Sequence, residues 1–289
     1  MTNHEFELFK QIVSMGQPSL KKAMARSLKR FYPDVIETKD YIVAPGDIPI
    51  GLVAHLDTVF NFPAQDVYFD REKQVIWSPD GLGADDRAGV LGILNIIRDK
   101  AKYRPWIFLT TNEEKGGLGA CALAEEIVAP PLKFLIELDR RGRNDCIFYD
   151  CNTADFKKYI ESFGFKEAKG SFSDISFLMP EWNMCGVNLS IGYEDEHSYT
   201  ETFFVQHWDE TIQKVKTILS QESYPDFVFE EAESYYTRCS KCGKAHYTFE
   251  TIPVGKEIYC IDCAVKYVEW CKQCGQPYLI GTKCKCEGV

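Results

Sequence analysis

No stretch of the 289 residues approaches the ~20 consecutive apolar positions needed to cross a bilayer. No strongly basic run offers a face to a phosphate backbone, and the formal charge is -10 at pH 7. A membrane-spanning protein and a general nucleic-acid binder are therefore not expected. The one short basic stretch, Lys21 and Lys22 with Arg26, Lys29 and Arg30, reads as a solvated helix face. Met1 to Glu7 hold no apolar segment, so a secretory signal is not expected either. Low-complexity tracts and long internal repeats are missing. Histidine is scarce, with five residues in all. Cysteine is nearly absent before the tail, where Cys121, Cys146, Cys151 and Cys185 stand far apart. These shortages make the remaining histidines and cysteines informative.

What is present is a regular alternation of patterns. Phe6, Phe9, Ile12 and Val13 line one helix face, a break follows at Gly16, Gln17 and Pro18, and Ser19 is placed to cap a second helix that ends before Pro33. Strands are expected at 35–43 and 48–54, and a hairpin at 67–69 and 74–77. A Gly-rich loop from Ser78 runs into a helix whose Val90, Leu91, Ile93, Leu94 and Ile97 face a core. The runs 106–110, 133–138 and 184–191 read as buried strands, and 146–149 as a shorter one. Helices are expected at about 118–128, 153–163, after Ser173 and Asp174, and at 201–219. Strands alternating with helices predict an α/β fold, a mostly parallel mixed sheet flanked by helices.

The chemistry gathers at the strand ends, where open α/β sheets bind ligands. The run 48–54 stops at His55, with Asp57 two residues on. The run 106–110 leads to Asn112, Glu113 and Glu114, and the run 133–138 to Asp139. The run 184–191 opens a loop holding Glu196 and His197, and the Gly-rich loop supplies Asp85 and Asp86. Like charges this close raise one another's pKa unless cations neutralise them. Two divalent metals resolve that conflict. A His and carboxylate set suits Zn²⁺, with Co²⁺ or Mn²⁺ as substitutes. Two such ions can share a carboxylate and a water and activate that water at neutral pH. Singly, Asp85 and Asp86 fit a helix N-cap as well, and Glu113 and Glu114 a solvated turn. Explaining all of them that way requires five independent coincidences.

Five motifs occur in order, within a resemblance that covers about residues 5–220: His55-x-Asp57-Thr58, Gly83-Ala84-Asp85-Asp86, Asn112-Glu113-Glu114-x-Gly116, Glu137-x-Asp139 and Glu196-His197-Ser198. The set resembles the zinc-dependent exopeptidases with a co-catalytic metal pair, the aminopeptidase clan with its related carboxypeptidases and deacylases. The resemblance implies a role for each residue. His55 and Asp139 would hold one metal, Glu114 and His197 the other, and Asp85 would bridge them. Glu113 would be the general base acting on a metal-bridging water, and Asp57 would orient His55. A cis peptide between Asp85 and Asp86 is also implied. Glu137 is left to a structural role, and His4, His207 and His246 read as ordinary residues.

Some relatives insert a second domain of ~100 residues over the site. Between Asp57 and Asp85 there is room here for a hairpin and a loop, and between Asp139 and His197 for about three elements. That bareness favours an aminopeptidase, hydrolysing peptide (amide) bonds from a free N-terminus. A deacylase or carboxypeptidase with the same site is the alternative, with Arg87, Arg140, Arg141 and Arg143 as candidates for a substrate carboxylate. Glu194, Asp195 and Glu196 are candidates to receive an ammonium group, although each alone reads as a solvated loop acid. Ser173 and Asp174 stand where relatives place a site-lining loop, and read as a helix N-cap. A third reading, a non-catalytic adaptor recruiting partners through its tail, fits a chain that has lost Glu113 or a ligand, and none is lost.

The tail carries the other eight cysteines, as Cys239-x-x-Cys242, Cys260-x-x-Cys263, Cys271-x-x-Cys274 and Cys284-x-Cys286. Paired thiols without a secretory signal read as metal ligands in a reducing, cytoplasmic setting. Eight make two Cys₄ sites for structural Zn²⁺, paired sequentially in the simplest arrangement, with an interleaved one open and iron a lesser option. Gly243 and Gly275 after their pairs resemble the knuckle of zinc ribbons. Lysines and acids nearly balance here, so nucleic acid is disfavoured as a partner and a recruited protein or substrate gating is preferred. The expected organisation is a bimetallic hydrolase domain at 1–222, a link at 223–238 and a small cysteine-rich zinc-ribbon-like domain at 239–289.

Overall fold

The strand Ile48–His55 pairs in parallel with Pro105–Thr110 on one side and Phe134–Arg140 on the other. Leu52, Val53 and Ala54 are wholly buried. Helices cover both faces of such a strand, which is why its sequence is apolar throughout rather than alternating. The computed structural model describes residues 1–98, 103–231, 236–247, 251–284 and 286, and the chain divides into two units, Met1–Glu231 and Ala232–Val289.

In the first unit the large sheet runs Ile36–Glu37, Tyr41–Ala44, Pro105–Thr110, Ile48–His55, Phe134–Arg140, Gly186–Ser190, Asp145–Ile147, Lys166–Glu167. Its four longest central strands are parallel, whereas Tyr41–Ala44 and Asp145–Ile147 join antiparallel on either side. Parallel neighbours need crossovers, and Ala84–Arg98, Leu118–Glu126 and Ile175–Trp182 supply them. The carboxyl ends of the four strands thereby share one edge. A second, antiparallel sheet of Tyr193–Glu194, Thr202–Phe204, Val75–Trp77 and Tyr68–Asp70 holds both ends of the loop carrying His197. Among the described residues no helix is long and apolar enough to cross a membrane.

Three local expectations are corrected. The strand expected at 35–43 is two, because Thr38 Oγ1 accepts the backbone N–H groups of Asp40 and Tyr41 and turns the chain back on itself. Ser19 is no cap: Gln17–Leu28 begins after Gly16, with Pro18 in its first turn, where the missing N–H costs nothing. The last long helix starts at Val205, since Thr202, Phe203 and Phe204 pair as a strand with Trp77, Ile76 and Val75.

Residues 223–231, expected as part of a link, pack on the first unit. Tyr224, Phe227 and Phe229 lie against its core, and Phe227 sits among the rings of Phe134, Phe156 and Tyr159. Thr153 Oγ1 donates to the Val228 carbonyl and accepts from the Glu230 N–H.

The second unit repeats one device. Tyr236–Arg238 pairs with Ala245–Tyr247, and Val268–Trp270 with Pro277–Leu279. Each hairpin turns through a Cys-x-x-Cys-Gly. Gly243 and Gly275 both take φ +72°, a conformation glycine adopts without steric cost. Their N–H groups bond back to the carbonyls of Cys239 and Cys271. A third hairpin, Thr251–Val254 with Glu257–Cys260, leads into the helix Ile261–Tyr267. The small core is Tyr259, Ala264 and Val268, too little to hold such a unit without staples.

Candidate active site

His55 ends its strand with a fully buried imidazole. Nε2 lies 3.1 Å from Asp85 Oδ1, 3.5 Å from Asp139 Oδ1 and 3.9 Å from Glu113 Oε2, and Nδ1 lies 3.5 Å from Asp57 Oδ1. Burial disfavours a charged ring, yet the carboxylates of Asp139, Asp57 and Asp85 outweigh it and hold the pKa well above the ordinary value. Asp85 faces both imidazoles. Its other oxygen, Oδ2, is 3.1 Å from His197 Nε2, which is also 3.1 Å from Glu114 Oε1. His197 reaches in from a loop in which Asp195 and His197 both take positive φ, +56° and +62°, a costly conformation for such residues.

The structure thus brings together two groups among the expected donors: His55, Asp85 and Asp139, and Asp85, Glu114 and His197. Their spacings of 3.1–3.5 Å match the ~3.3 Å edge of a tetrahedron with ~2.0–2.1 Å bonds to a central Zn²⁺. Glu114 Oε1 is buried without a hydrogen-bond partner. The residues present therefore fit a pair of divalent cations sharing Asp85. The peptide between Asp85 and Asp86 is cis.

The acids around the donors hold backbone, and Asp57 in addition stands 3.5 Å from His55 Nδ1. Asp57 Oδ1 accepts from Glu113 N at 3.0 Å and Oδ2 from Glu114 N at 3.2 Å, which fixes the turn bearing both glutamates. Asp86 accepts from His55 N and Gly89 N, so it caps the following helix and steadies the strand end at once. A Cβ on Gly89 would meet the Leu138 carbonyl and the Asp86 carboxylate, so only glycine lets that helix seat here. Glu201, which no motif contains, accepts from Gly83 N at 2.6 Å and Asp85 N at 3.0 Å.

Asp139 is held by three more residues: Ser173, which the sequence offered as part of a site-lining loop or a helix cap, and Tyr193 and Asn188, which sequence reasoning missed. Ser173 Oγ donates to Oδ2 at 2.8 Å, Tyr193 OH donates to Oδ1 at 3.0 Å, and Asn188 bonds the Asp139 backbone N–H and carbonyl. Asn188 left one legible signal, a polar side chain inside an apolar run. Ser173 and Asp174 do not cap their helix, because Asp174 has helical angles and makes no cap bond. Its buried carboxylate accepts from Thr110 instead. Glu137 is fully buried with neither oxygen bonded, and burial, reinforced by the charges of Asp139 and Asp174, pushes its pKa far up.

Asp85, Glu113, Glu114, Asp139 and His197 line a cavity of about 400 Å³, together with Val59, Tyr149, Phe172, Tyr193, Glu196, Arg140 and Arg141. Arg141 pairs with Glu196 at 2.7 Å. Arg143 pairs with Glu210 instead. Arg87 is buried beside a neighbouring cavity and donates to the carbonyls of Ile12 and Met15, tying down the end of the first helix. Glu194 and Asp195 do not line the 400 Å³ cavity.

In the tail the thiols of Cys239, Cys242, Cys260 and Cys263 converge, as do those of Cys271, Cys274, Cys284 and Cys286. The grouping is sequential. Sulfur separations of 3.4–3.9 Å bracket the ~3.8 Å tetrahedral edge for ~2.3 Å bonds to Zn²⁺.

No family model matches the chain, and no curated protein matches its sequence. Solved structures do. An aminopeptidase PepT from Bacillus cereus is 15% identical with a TM-score of 0.59, the match spanning 75% of this chain and 97% of that one. A tripeptidase from Staphylococcus aureus is 13% identical with a TM-score of 0.60, over 75% and 97%. A TET aminopeptidase from a Thaumarchaeota archaeon is 11% identical with a TM-score of 0.61, over 77% and 98%. The chain therefore has the fold of these peptidases, an α/β mixed sheet flanked by helices, as its five motifs implied.

Proposed function

We propose that the first unit hydrolyses peptide bonds with a pair of divalent metals, and that it acts as an aminopeptidase. The observation that carries this is the convergence of two donor groups on Asp85, with Glu113 beside them in one cavity. His55 and Asp139 would hold one ion, Glu114 and His197 the other, and Asp85 both. When bound, such ions polarise a carbonyl and lower the pKa of water.

Glu113 is the carboxylate left over once the donors are assigned. Burial, reinforced by the charges of Asp139, Asp174 and Glu114, pushes it up to about 9 in the metal-free chain, and bound cations would lower it toward neutral pH. It removes a proton from the attacking water at a carboxylate oxygen and delivers it to the departing amine nitrogen. Asp57 keeps that oxygen in place by gripping the backbone of the turn. The aminopeptidases and tripeptidase named above share the fold, which supports this reading. Arg140 and Arg141 in the cavity favour a second reading, a carboxypeptidase or deacylase using the same donors. The tail, on this reading, holds two structural zinc ions and offers a surface to a protein partner. The thiols fit a reducing, cytoplasmic setting.

The test is hydrolysis by the full chain, stripped and reloaded with Zn²⁺, Co²⁺ or Mn²⁺, of trialanine and of N-acetyl-trialanine. Cleavage of the first and not the second is expected. Cleavage of the second alone would establish the carboxypeptidase or deacylase reading. Glu113→Gln should lower kcat roughly 10²–10⁴-fold, and unchanged turnover in that variant would sink both.

A further inference from the structure

Two cysteines of the first unit take no part in the site described above, and they meet in the core. Cys151 follows the strand Asp145–Ile147, and Cys185 precedes the strand Gly186–Ser190. Both are fully buried, and neither is in a disulfide. Thr153 Oγ1 lies 3.7 Å from Cys151 Sγ and 3.4 Å from Cys185 Sγ. The Cys185 thiol hydrogen-bonds the Cys151 sulfur, and the backbone N–H groups of Thr153 and Gly186 face it too. These contacts hold Cys151 down to about 6 against burial, while the same sulfur contact and burial push Cys185 far up. That asymmetry favours a thiolate on Cys151 with the proton kept on Cys185. The segment 223–231 lies against the pair. Besides its bonds to Thr153, its Glu230 carbonyl accepts from Asn152 N at 2.7 Å, and Glu231 bridges Cys151. Apart from that bridge it has no helix or strand, and such segments open locally at lower cost than a sheet.

We propose that Cys151 and Cys185 form a peroxide-sensitive dithiol, reached when the segment 223–231 lifts, whose closure to a disulfide weakens the hold on Asp139. The Cys151 thiolate attacks one oxygen of a hydroperoxide. The O–O bond breaks, Cys151 becomes a sulfenic acid and hydroxide or alkoxide leaves. The Cys185 sulfur then attacks the Cys151 sulfur. The S–S bond forms, the S–O bond breaks, and the Cys185 proton leaves with the hydroxyl as water. Two electrons pass from the sulfurs to the peroxide, and a thiol reductant returns them. The reach to Asp139 is short. Cys151 stands two residues after Tyr149, which lines the cavity, and Cys185 three before Asn188. Asn188 Nδ2 donates to the Tyr149 hydroxyl at 3.0 Å and to the Asp139 carbonyl at 2.8 Å. Hydrogen-bonded sulfurs must close further to become a disulfide, which shifts the Tyr149 turn against the strand bearing Asn188. The thiol chemistry itself does not depend on the peptidase reading.

The experiment adds hydrogen peroxide to the Zn²⁺-loaded full chain, caps the remaining thiols with iodoacetamide and maps peptides by mass spectrometry without reduction. Cys151 and Cys185 should be found joined, and dithiothreitol should release them. Cys185→Ser should stop at a sulfenic acid on Cys151 that dimedone labels. Oxidation should outpace global unfolding in the same buffer, and Phe227→Ala should speed it roughly tenfold or more by loosening the segment. The oxidised first unit should bind Zn²⁺ about 10–100-fold more weakly in competition with a chelator, whereas Cys151→Ser, given the same peroxide as a reference for the tail thiols, should show no such loss. Absence of the joined pair overturns the proposal. Oxidation no faster than unfolding, or unaltered by Phe227→Ala, overturns access through the segment, and an equal Zn²⁺ affinity of the oxidised and reduced chains overturns the effect on Asp139. The mapping needs no variant, so it decides even if a substituted chain fails to fold.

Discussion

Asp139 shows how a proposed metal ligand is made rigid. Its two oxygens are claimed by Ser173 and Tyr193, and its backbone by Asn188, from three different elements. Removing one such support leaves the donor in place but free to turn. Tyr193→Phe should therefore weaken metal binding about 10–100-fold while the protein still folds, as read by competition with a chelator; unchanged affinity would mean that the hydroxyl positions nothing. Glu201→Ala acts on Asp85 from behind. It leaves the N–H groups of Gly83 and Asp85 buried without an acceptor, at about 1–3 kcal/mol each, and urea denaturation of the metal-free protein would measure it. The donors themselves were legible because each follows an apolar run or a glycine turn. Their supports were not. Glu201 reaches Gly83 across 118 positions, and no spacing or period marks such a contact. Ser173 and Asp174 carried a signal with two meanings, since a Ser-Asp pair before apolar residues fits a cap and a site wall equally.

Among elements, the buried strands and the helices between them were readable, because long apolar runs have few alternatives. Strands of two or three residues were not. Thr202–Phe204 exists by pairing with Val75–Trp77, and local propensity could not announce that. The same limit hid the role of 223–231, whose acids and Pro225 look like a linker although its aromatic residues pack. Phe227→Ala should cost the first unit about 2–3 kcal/mol, below the ~3–5 of a fully buried phenylalanine, and lower its Tm by about 5–10 °C. A chain ending at Glu231 should melt as the first unit does in the full protein, whereas one ending at 222 should melt at least as low as Phe227→Ala. Equal melting of the two truncations would show that the segment contributes no stability.

At the scale of the whole unit, the acids that make the site also make the empty fold sensitive to pH. Without metal, burial above all pushes Glu113 up to about 9 and Glu114 and Asp174 each to about 7. His197 is raised to about 9, chiefly by its hydrogen bond to Asp85, and His55 stands well above its usual value. All five keep protons in the fold that the unfolded chain gives up, the acids from about pH 4 and the imidazoles from about pH 6.5. The folded state then binds more protons than the unfolded one, so stability falls as pH rises from about 4 to 9. Asp57 and Asp85 are depressed by their imidazole partners against the effect of burial and reverse the slope only below about pH 4. Divalent ions take the place of the protons, since they bind deprotonated donors. On the chain ending at Glu231, which excludes the tail thiols, the metal-free Tm should decline from pH 5 to pH 9. The Zn²⁺-loaded Tm should not, so the gap between them widens with pH. Two curves that stay parallel across that range would show that the buried carboxyls and imidazoles are not where the metal binds.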